Sequence, residues 1–534
     1  MSSLNLFPRE TAEEFLTWIE EGELYTPNDE QKQFIRRYED RIAVLQGPPG
    51  TGKTMTLSYA LLARAYALLE SQKRMRGMLV APSNRAVNAA LQEVDESLHY
   101  WNQHADDTDM SSSLDNLRLI RALGRDIDVD EDLYRETDFV NYHTDDLDQI
   151  QQDLTTQTSL GEFTRAANGL LVFATTSGGY KFVDEVWDSG TESCFDVLAV
   201  DEASMVPTPD MLIPGASTEP DAQVLISGDQ RQMPPVQTHD WDREDRRIVE
   251  EVAPHLSSMD FFRLFSYQDG FGMDESPEEV EVPSFQDIPI DKLAVTYRCH
   301  RVVAEFLRRL IYVQDRIDYR SGREYSLNVR PAERGGVRRV MNPKYPLVLI
   351  VHDERDSQQS NPYEVGIVDS LVRTVDPDED VGVVTPHNAQ RGRLRGVLRN
   401  YDNADVDTVE RFQGGERDMI VVSGTVSDPD YVRREADFIL SPNRLNVAMS
   451  RMRKKLVLVV PRSLIDFVPS DSDQYEAARV WKRMYNIVQE EADRAPWTGT
   501  ISEFAGDVPD MAPDKKLEVF TVSDIKTDDG RQSG

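Results

Sequence analysis

Short apolar, β-rich runs, each closed by Gly, Pro or a hydroxyl residue and followed by helix-like sequence, recur along this chain and restrict its fold more than any other feature. They are IAVLQG at 42–47, GMLVAPS at 77–83, LLVFATTSG at 170–178, FDVLAVDEAS at 195–204 and QVLISGD at 223–229. Continuous hydrophobicity, in place of alternation, is what a strand covered on both faces requires. The pattern therefore predicts a parallel sheet with helices on either side. A second series, LVLIVHD at 347–353, VGVVTPH at 381–387, DMIVVSGT at 418–425 and KLVLVVP at 455–461, predicts a second α/β domain.

Length agrees, since 534 residues exceed one hydrophobic core. The boundaries read from the sequence are 1–290, 291–466 and 467–534. Within the first domain, 126–170 is acidic and Gln/Thr-rich with helical character and reads as an insertion; an acidic, Pro-bearing stretch at about 266–290 suits a solvated linker. The last part is expected to hold one helix and then, from about residue 497, a loosely docked or disordered tail.

Several classes drop out. Cys194 and Cys299 are the only cysteines, too few for a disulfide framework, a four-cysteine zinc site or a four-cysteine iron–sulfur cluster. No apolar run has membrane-spanning length and the N-terminus lacks a signal-peptide pattern, so the expectation is a cytoplasmic protein that does not engage a membrane.

Charge raises a conflict. With 59 basic and 95 acidic residues the net charge is −36, which opposes a polyanionic partner. Either no nucleic acid binds, or the acidic shell is an adaptation to a salt-rich cytoplasm and hides a basic track. Lysine is scarce, with Lys32, Lys53 and Lys73 the only ones before Lys181, while arginine is plentiful, which points to a halophilic chain. A merely soluble acidic protein is the plainer alternative.

The segment Gly47-Pro48-Pro49-Gly50-Thr51-Gly52-Lys53-Thr54 follows a predicted strand and opens a predicted helix, the context a phosphate-binding loop needs. Its glycines let backbone N–H groups turn toward phosphates, and the helix N-terminus adds partial positive charge. Lys53 is placed to reach the β- and γ-phosphates of ATP and Thr54 to ligate Mg²⁺. A carboxylate at a neighbouring strand end is the second requirement. Asp201 and Glu202 supply it after Val197–Val200, Asp201 for Mg²⁺ and Glu202 for the attacking water.

Beyond these two sites, the order of motifs over roughly residues 25–461 resembles the superfamily 1 helicases, in the branch of the nonsense-mediated-decay RNA helicase and its relatives. The resemblance implies two RecA-like domains and ATP-driven movement along single-stranded or tailed DNA or RNA, with 5′-to-3′ polarity implied by the branch alone. It assigns Gln31, in Tyr25–Gln31, to the adenine edge, and Gln232, in Gly228–Pro235, to sensing the γ-phosphate. Arg298 of Tyr297–His300 is implied to touch the γ-phosphate and Arg451 of Leu445–Arg451 to act as an arginine finger; Gln413 and Glu416 are implied nucleotide-side contacts. If those arginines arrive from the opposite domain, binding closes a cleft and hydrolysis reopens it.

Pro82, Ser83, Asn84, Thr175, Thr176, Thr385, Pro386 and His387 sit at predicted strand ends and suit phosphate or ribose contacts without base readout. Ordinary capping and turn chemistry explains the same residues. Basic runs at 391–395 and 451–455 are candidate groove linings, with solvated helix faces as the alternative. Glu410 and Met452 depart from the residues common in relatives, and no segment reads as the β-barrel that many relatives carry. The resulting expectation is a monomeric ATP-dependent helicase or translocase. An ATPase that remodels protein–nucleic-acid complexes without unwinding is the alternative.

Overall fold

A computed structural model of the chain describes residues 7–21, 26–104, 114, 117–123, 140–143, 167–186, 194–236, 256–264, 288–332, 335–412, 415–469, 471–506 and 515–526. Two compact units emerge. The first comprises Met1–Gly47, Gly52–Gln230 and Pro234–Leu293; the second comprises Ala294–Gly534 together with the short segments Pro48–Thr51 and Arg231–Met233.

The first unit is built on eight strands: β1 (Ile42–Gln46), β2 (Met75–Ala81), β3 (Leu117–Leu123), β4 (Val140–His143), β5 (Gly169–Thr175), β6 (Phe195–Val200), β7 (Thr218–Gly228) and β8 (Ile290–Lys292). Their order in the sheet is β4-β3-β5-β2-β6-β7-β1-β8. Every neighbouring pair is parallel. One face is covered by the helices Arg9–Glu21, Asp29–Ile35, Lys53–Glu70 and Asn84–His104, around Phe15, Leu61, Leu79 and Phe173. The other face carries Val44, Val80, Phe182, Leu198 and Ile226. Burial on both faces explains the continuous apolar runs in β1, β2, β5, β6 and β7. The order also sets β6, β7 and β1 side by side, so loops leaving their carboxyl ends gather at one edge, where open α/β sheets bind ligands.

The second unit has seven strands: β9 (Leu347–His352), β10 (Val381–Thr385), β11 (Ala404–Thr408), β12 (Arg417–Ser423), β13 (Met452–Pro461), β14 (Trp497–Thr500) and β15 (Lys516–Val522), ordered β11-β10-β12-β13-β9-β15-β14. The first five pair in parallel, whereas β15 runs antiparallel to β9 and to β14. The stretch expected to be a loose tail is thus corrected. Leu517, Val519 and Val522 are buried in the sheet, on a strand whose partner β9 lies far away in sequence.

Of the 126–170 stretch, β4 and residues 167–170 are described; 265–287 of the acidic stretch lies outside the described residues, and that stretch ends in β8, paired with β1. Strands β3, β4, β8, β11, β14 and β15 were not read from the sequence. Their runs are short, as in β14 (WTGT), or interrupted by polar residues, as in β3 (LRLIRAL) and β15 (KLEVFTV).

Candidate nucleotide and strand sites

The phosphate loop turns through two left-handed glycines, Gly50 at φ 75° and Gly52 at φ 79°, a region that residues bearing a Cβ disfavour. Gly50 has a packing reason as well, since a Cβ there would lie 2.5 Å from that of Arg298. Thr51 Oγ1 donates to the Pro48 carbonyl at 2.8 Å and pins the turn. Lys53 begins the helix that follows and is buried, its Nζ donating to the Gly47 carbonyl at 2.8 Å. Its ammonium is held against the loop, where phosphate oxygens are its natural acceptors.

Thr54 Oγ1 donates to Asp201 Oδ2 at 2.8 Å, joining the first turn of that helix to the end of β6. Burial, reinforced by the neighbouring Glu202, holds the Asp201 carboxyl above its usual range, while the Thr54 hydrogen bond and Lys53 oppose the shift. Glu202 adopts a left-handed backbone at φ 50°, an uncommon state for a non-glycine residue. Its Oε2 is buried with no hydrogen-bond partner among the described residues. A hydroxyl and a carboxylate in contact, beside a second carboxylate, fit the donors Mg²⁺ takes when phosphates and water complete its shell. Among the described residues, no group of three or more His, Cys, Asp or Glu side chains is placed to hold a metal ion.

Gln31 is fully buried and closes a capping box with Asn28, its Oε1 accepting from the Asn28 amide at 2.8 Å. Its Nε2 lies 2.8 Å from where a Gly52 Cβ would stand, so the glutamine abuts the phosphate loop.

In the second unit, Arg298 Nε donates to Glu416 Oε1 at 2.5 Å and its Nη1 to the Ser450 carbonyl at 3.3 Å. Glu416, assigned by resemblance to the nucleotide, here holds an arginine. The Tyr297 amide donates to the Gly50 carbonyl, and both Thr296 Oγ1 and Tyr319 Oη donate to the Pro49 carbonyl. Arg451 is buried, and its Nη2 donates to Gln232 Oε1 at 3.3 Å, bringing together two residues assigned to the γ-phosphate. Gln413 lies outside the described residues.

The strand candidates divide. Ser83 Oγ accepts from the Ala86 amide and Thr175 Oγ1 from the Gly178 amide, both capping contacts at helix starts. Pro82, Asn84 and Thr176 are half-buried at the ends of β2 and β5. Thr385 requires correction as a surface contact: it is buried, and its hydroxyl meets Thr425 Oγ1 at 2.9 Å. The last residue of β10 faces a polar network inside the sheet edge, which also contains Glu364 and Ser423. Pro386 is half-buried, and His387 stacks on Phe438 with centroids 5.4 Å apart; burial lowers the His387 pKa and favours the neutral ring.

The basic runs are for the most part ion-paired. Arg391 and Arg395 pair with Asp407, Arg453 with Asp418, Lys454 with Glu379, and Lys455 is buried. The sequence reading missed Arg121 on β3, whose guanidinium is buried beneath the Asn84 helix, because an isolated arginine in a strand carries no motif signal.

Two family models, each described as an AAA domain, match residues 26–244 and 281–463. The yeast (Saccharomyces cerevisiae) DNA polymerase alpha-associated DNA helicase A is 24% identical over 81% of this chain and 64% of its own length. The mouse RNA helicase Mov10l1 is 26% identical over 82% of this chain and 34% of its own. The chain belongs to the superfamily 1 helicases.

Another relative of this superfamily 1 chain is the rat DNA-binding protein SMUBP-2, 23% identical over 81% of the chain and 42% of the relative. The chain thus spans less than two thirds of the length of these relatives. Its two sheets, parallel throughout the first unit and across β9–β13 in the second, are the RecA-like arrangement of the superfamily. Among the described residues, no helix is long and apolar enough to cross a membrane.

Proposed function

We propose that the chain is an ATP- and Mg²⁺-dependent helicase that moves along single-stranded or tailed DNA or RNA, in the 5′-to-3′ direction of the branch it resembles. The observation that carries this reading is the contact of Thr54 with Asp201, beside Lys53 and the orphaned carboxylate oxygen of Glu202. Relatives named DNA helicase and RNA helicase support the choice of activity and leave the sugar open.

In this reading the loop amides and Lys53 hold the β- and γ-phosphates. Thr54 and Asp201 would hold Mg²⁺, which when bound offsets phosphate charge. Glu202 accepts a proton from the water that attacks the γ-phosphorus; the bond to the β–γ bridging oxygen breaks, leaving ADP and phosphate. Gln232, Arg298 and Arg451 meet the charge that develops on the transferred group. Hydrolysis drives strand movement through the loops at 82–84, 175–176 and 386–387. We further propose a monomer in a salt-rich cytoplasm, on the strength of the −36 net charge and the scarcity of lysine.

The test is steady-state ATP hydrolysis in concentrated KCl with and without single strands, followed by displacement assays on 5′- and 3′-tailed duplexes. Stimulation by strands and unwinding from the 5′ tail are expected. An unstimulated rate overturns the motor reading, and unwinding from the 3′ tail alone overturns the polarity. Lys53→Ala and Glu202→Gln are each expected to reduce hydrolysis by at least about 10³-fold while circular dichroism stays native; near-parental turnover in either would refute the site.

A further inference from the structure

Arg121 presents an unusual arrangement. It lies on β3, is 1% exposed, and donates from Nε to Asn88 Oδ1 and from Nη2 to Asn84 Oδ1, both at 2.8 Å. Its Nη1 donates to the carbonyls of Ala122 at 2.6 Å and Phe173 at 3.4 Å. Every acceptor that the described residues offer this cation is therefore neutral. Burial without a carboxylate pushes its pKa down to about 10, which still leaves it charged at neutral pH.

Guanidinium is purely a donor, so it dictates which end of each amide faces it. Both asparagine oxygens are taken, and each residue is left with its NH₂ group to offer a ligand. Asn84 and Asn88 stand four residues apart in the helix Asn84–His104, hence on one face, and both are half-buried, open in part to solvent. Their NH₂ groups, Asn84 on the first turn and Asn88 one turn on in a 21-residue helix, offer donors only, backed by a buried cation and, at Asn84, by the helix dipole. Such a set suits an anionic oxygen and rejects a donor.

We propose that Arg121 is a positioning residue that locks Asn84 and Asn88 as a pair of amide donors for one phosphate of the bound strand, Asn88 being a contact that no sequence motif marked. This rests on the reading that the 82–84 loop meets a nucleic-acid strand. It also explains how an acidic chain binds a polyanion locally: the donors are neutral amides, and the positive charge behind them is buried, away from the carboxylates of the surface.

The deciding variant is Asn88→Asp, because a structural and a ligand-binding role predict opposite outcomes. A carboxylate at position 88 pairs with Arg121 and is expected to raise the melting temperature. It also removes the donors and adds negative charge facing the phosphate, so binding of a fluorescein-labelled single-stranded oligothymidylate, followed by anisotropy, is expected to weaken roughly tenfold. Asn88→Ala is expected to weaken binding several-fold, and Arg121→Met to add little to it in the double variant. Unchanged or tighter binding by Asn88→Asp overturns the proposal, while the parent still binding keeps the strand reading intact. A parent that binds no single strand overturns that reading, and the phosphate pair falls with it.

Discussion

Lys455 carries its ammonium group into the interior of the second unit, where it donates to the carbonyls of Asn342 and Tyr345. Burial pushes its pKa down to about 7 from the ordinary 10.5. The sign follows from linkage. Between those two values the unfolded chain holds a proton that the folded chain has released, so the destabilisation is complete below about 7 and fades as pH rises toward 10.5. Lys455→Met is therefore expected to melt at a higher temperature than the parent relative to a constant offset at neutral pH, with the gap narrowing by at least about 4 °C by pH 10, given that each kcal/mol moves a domain of this size by roughly 2–4 °C. A gap independent of pH would show that the lysine is not buried as described. If Arg298 stabilises the transferred phosphoryl group, Arg298→Ala lowers turnover by about 10³- to 10⁵-fold. Nucleotide affinity, measured by equilibrium binding, is expected to change far less; an equal loss in both would make the residue a binding group alone.

Among the elements, β15 shows most clearly what local sequence conceals. It is inserted between β9 and β14 and buries Leu517, Val519 and Val522. Each large apolar side chain so buried contributes about 1.5–3 kcal/mol, and a bared β9 is an unpaired edge. A chain truncated after residue 506 is expected to melt at least about 5 °C lower, and to scatter light on standing at concentrations where the full chain stays clear. An unaltered melt would place β15 outside the cooperative core. The strands that were legible, β1, β2, β5, β6, β7, β9, β10, β12 and β13, are those whose both faces are covered and whose runs are accordingly continuous. β3 was missed because Arg121 interrupts it, and the arginine is tolerated there only because four neutral acceptors surround it.

For the molecule as a whole, 36 surplus negative charges repel one another, and screening shortens their reach from about 10 Å at 0.1 M salt to about 3 Å at 1 M. The melting temperature is expected to rise by about 10 °C or more between 0.1 and 2 M KCl, and a flat or falling curve would contradict the salt-adapted reading. In the basic runs, Arg391 and Arg395 pair with Asp407, Arg453 with Asp418 and Lys454 with Glu379, and on the proposed reading strand recognition rests mainly on amides, hydroxyls and helix termini. Such contacts depend less on counterion release than lysine–phosphate pairs do.

Sequence alone determined the α/β class, the phosphate loop and the acidic pair after β6, because each is a local requirement: a strand covered on both faces must be apolar, a loop that turns its amides inward needs glycine, and a strand-end carboxylate must follow its strand. Only the tertiary structure decided that Thr54 meets Asp201, that Glu416 and Gln232 hold arginines, that Thr385 is buried, and that Arg121 grips two asparagines. Those facts depend on which distant segments pack together, and a side chain's partner is set by that packing and not by its neighbours in the chain.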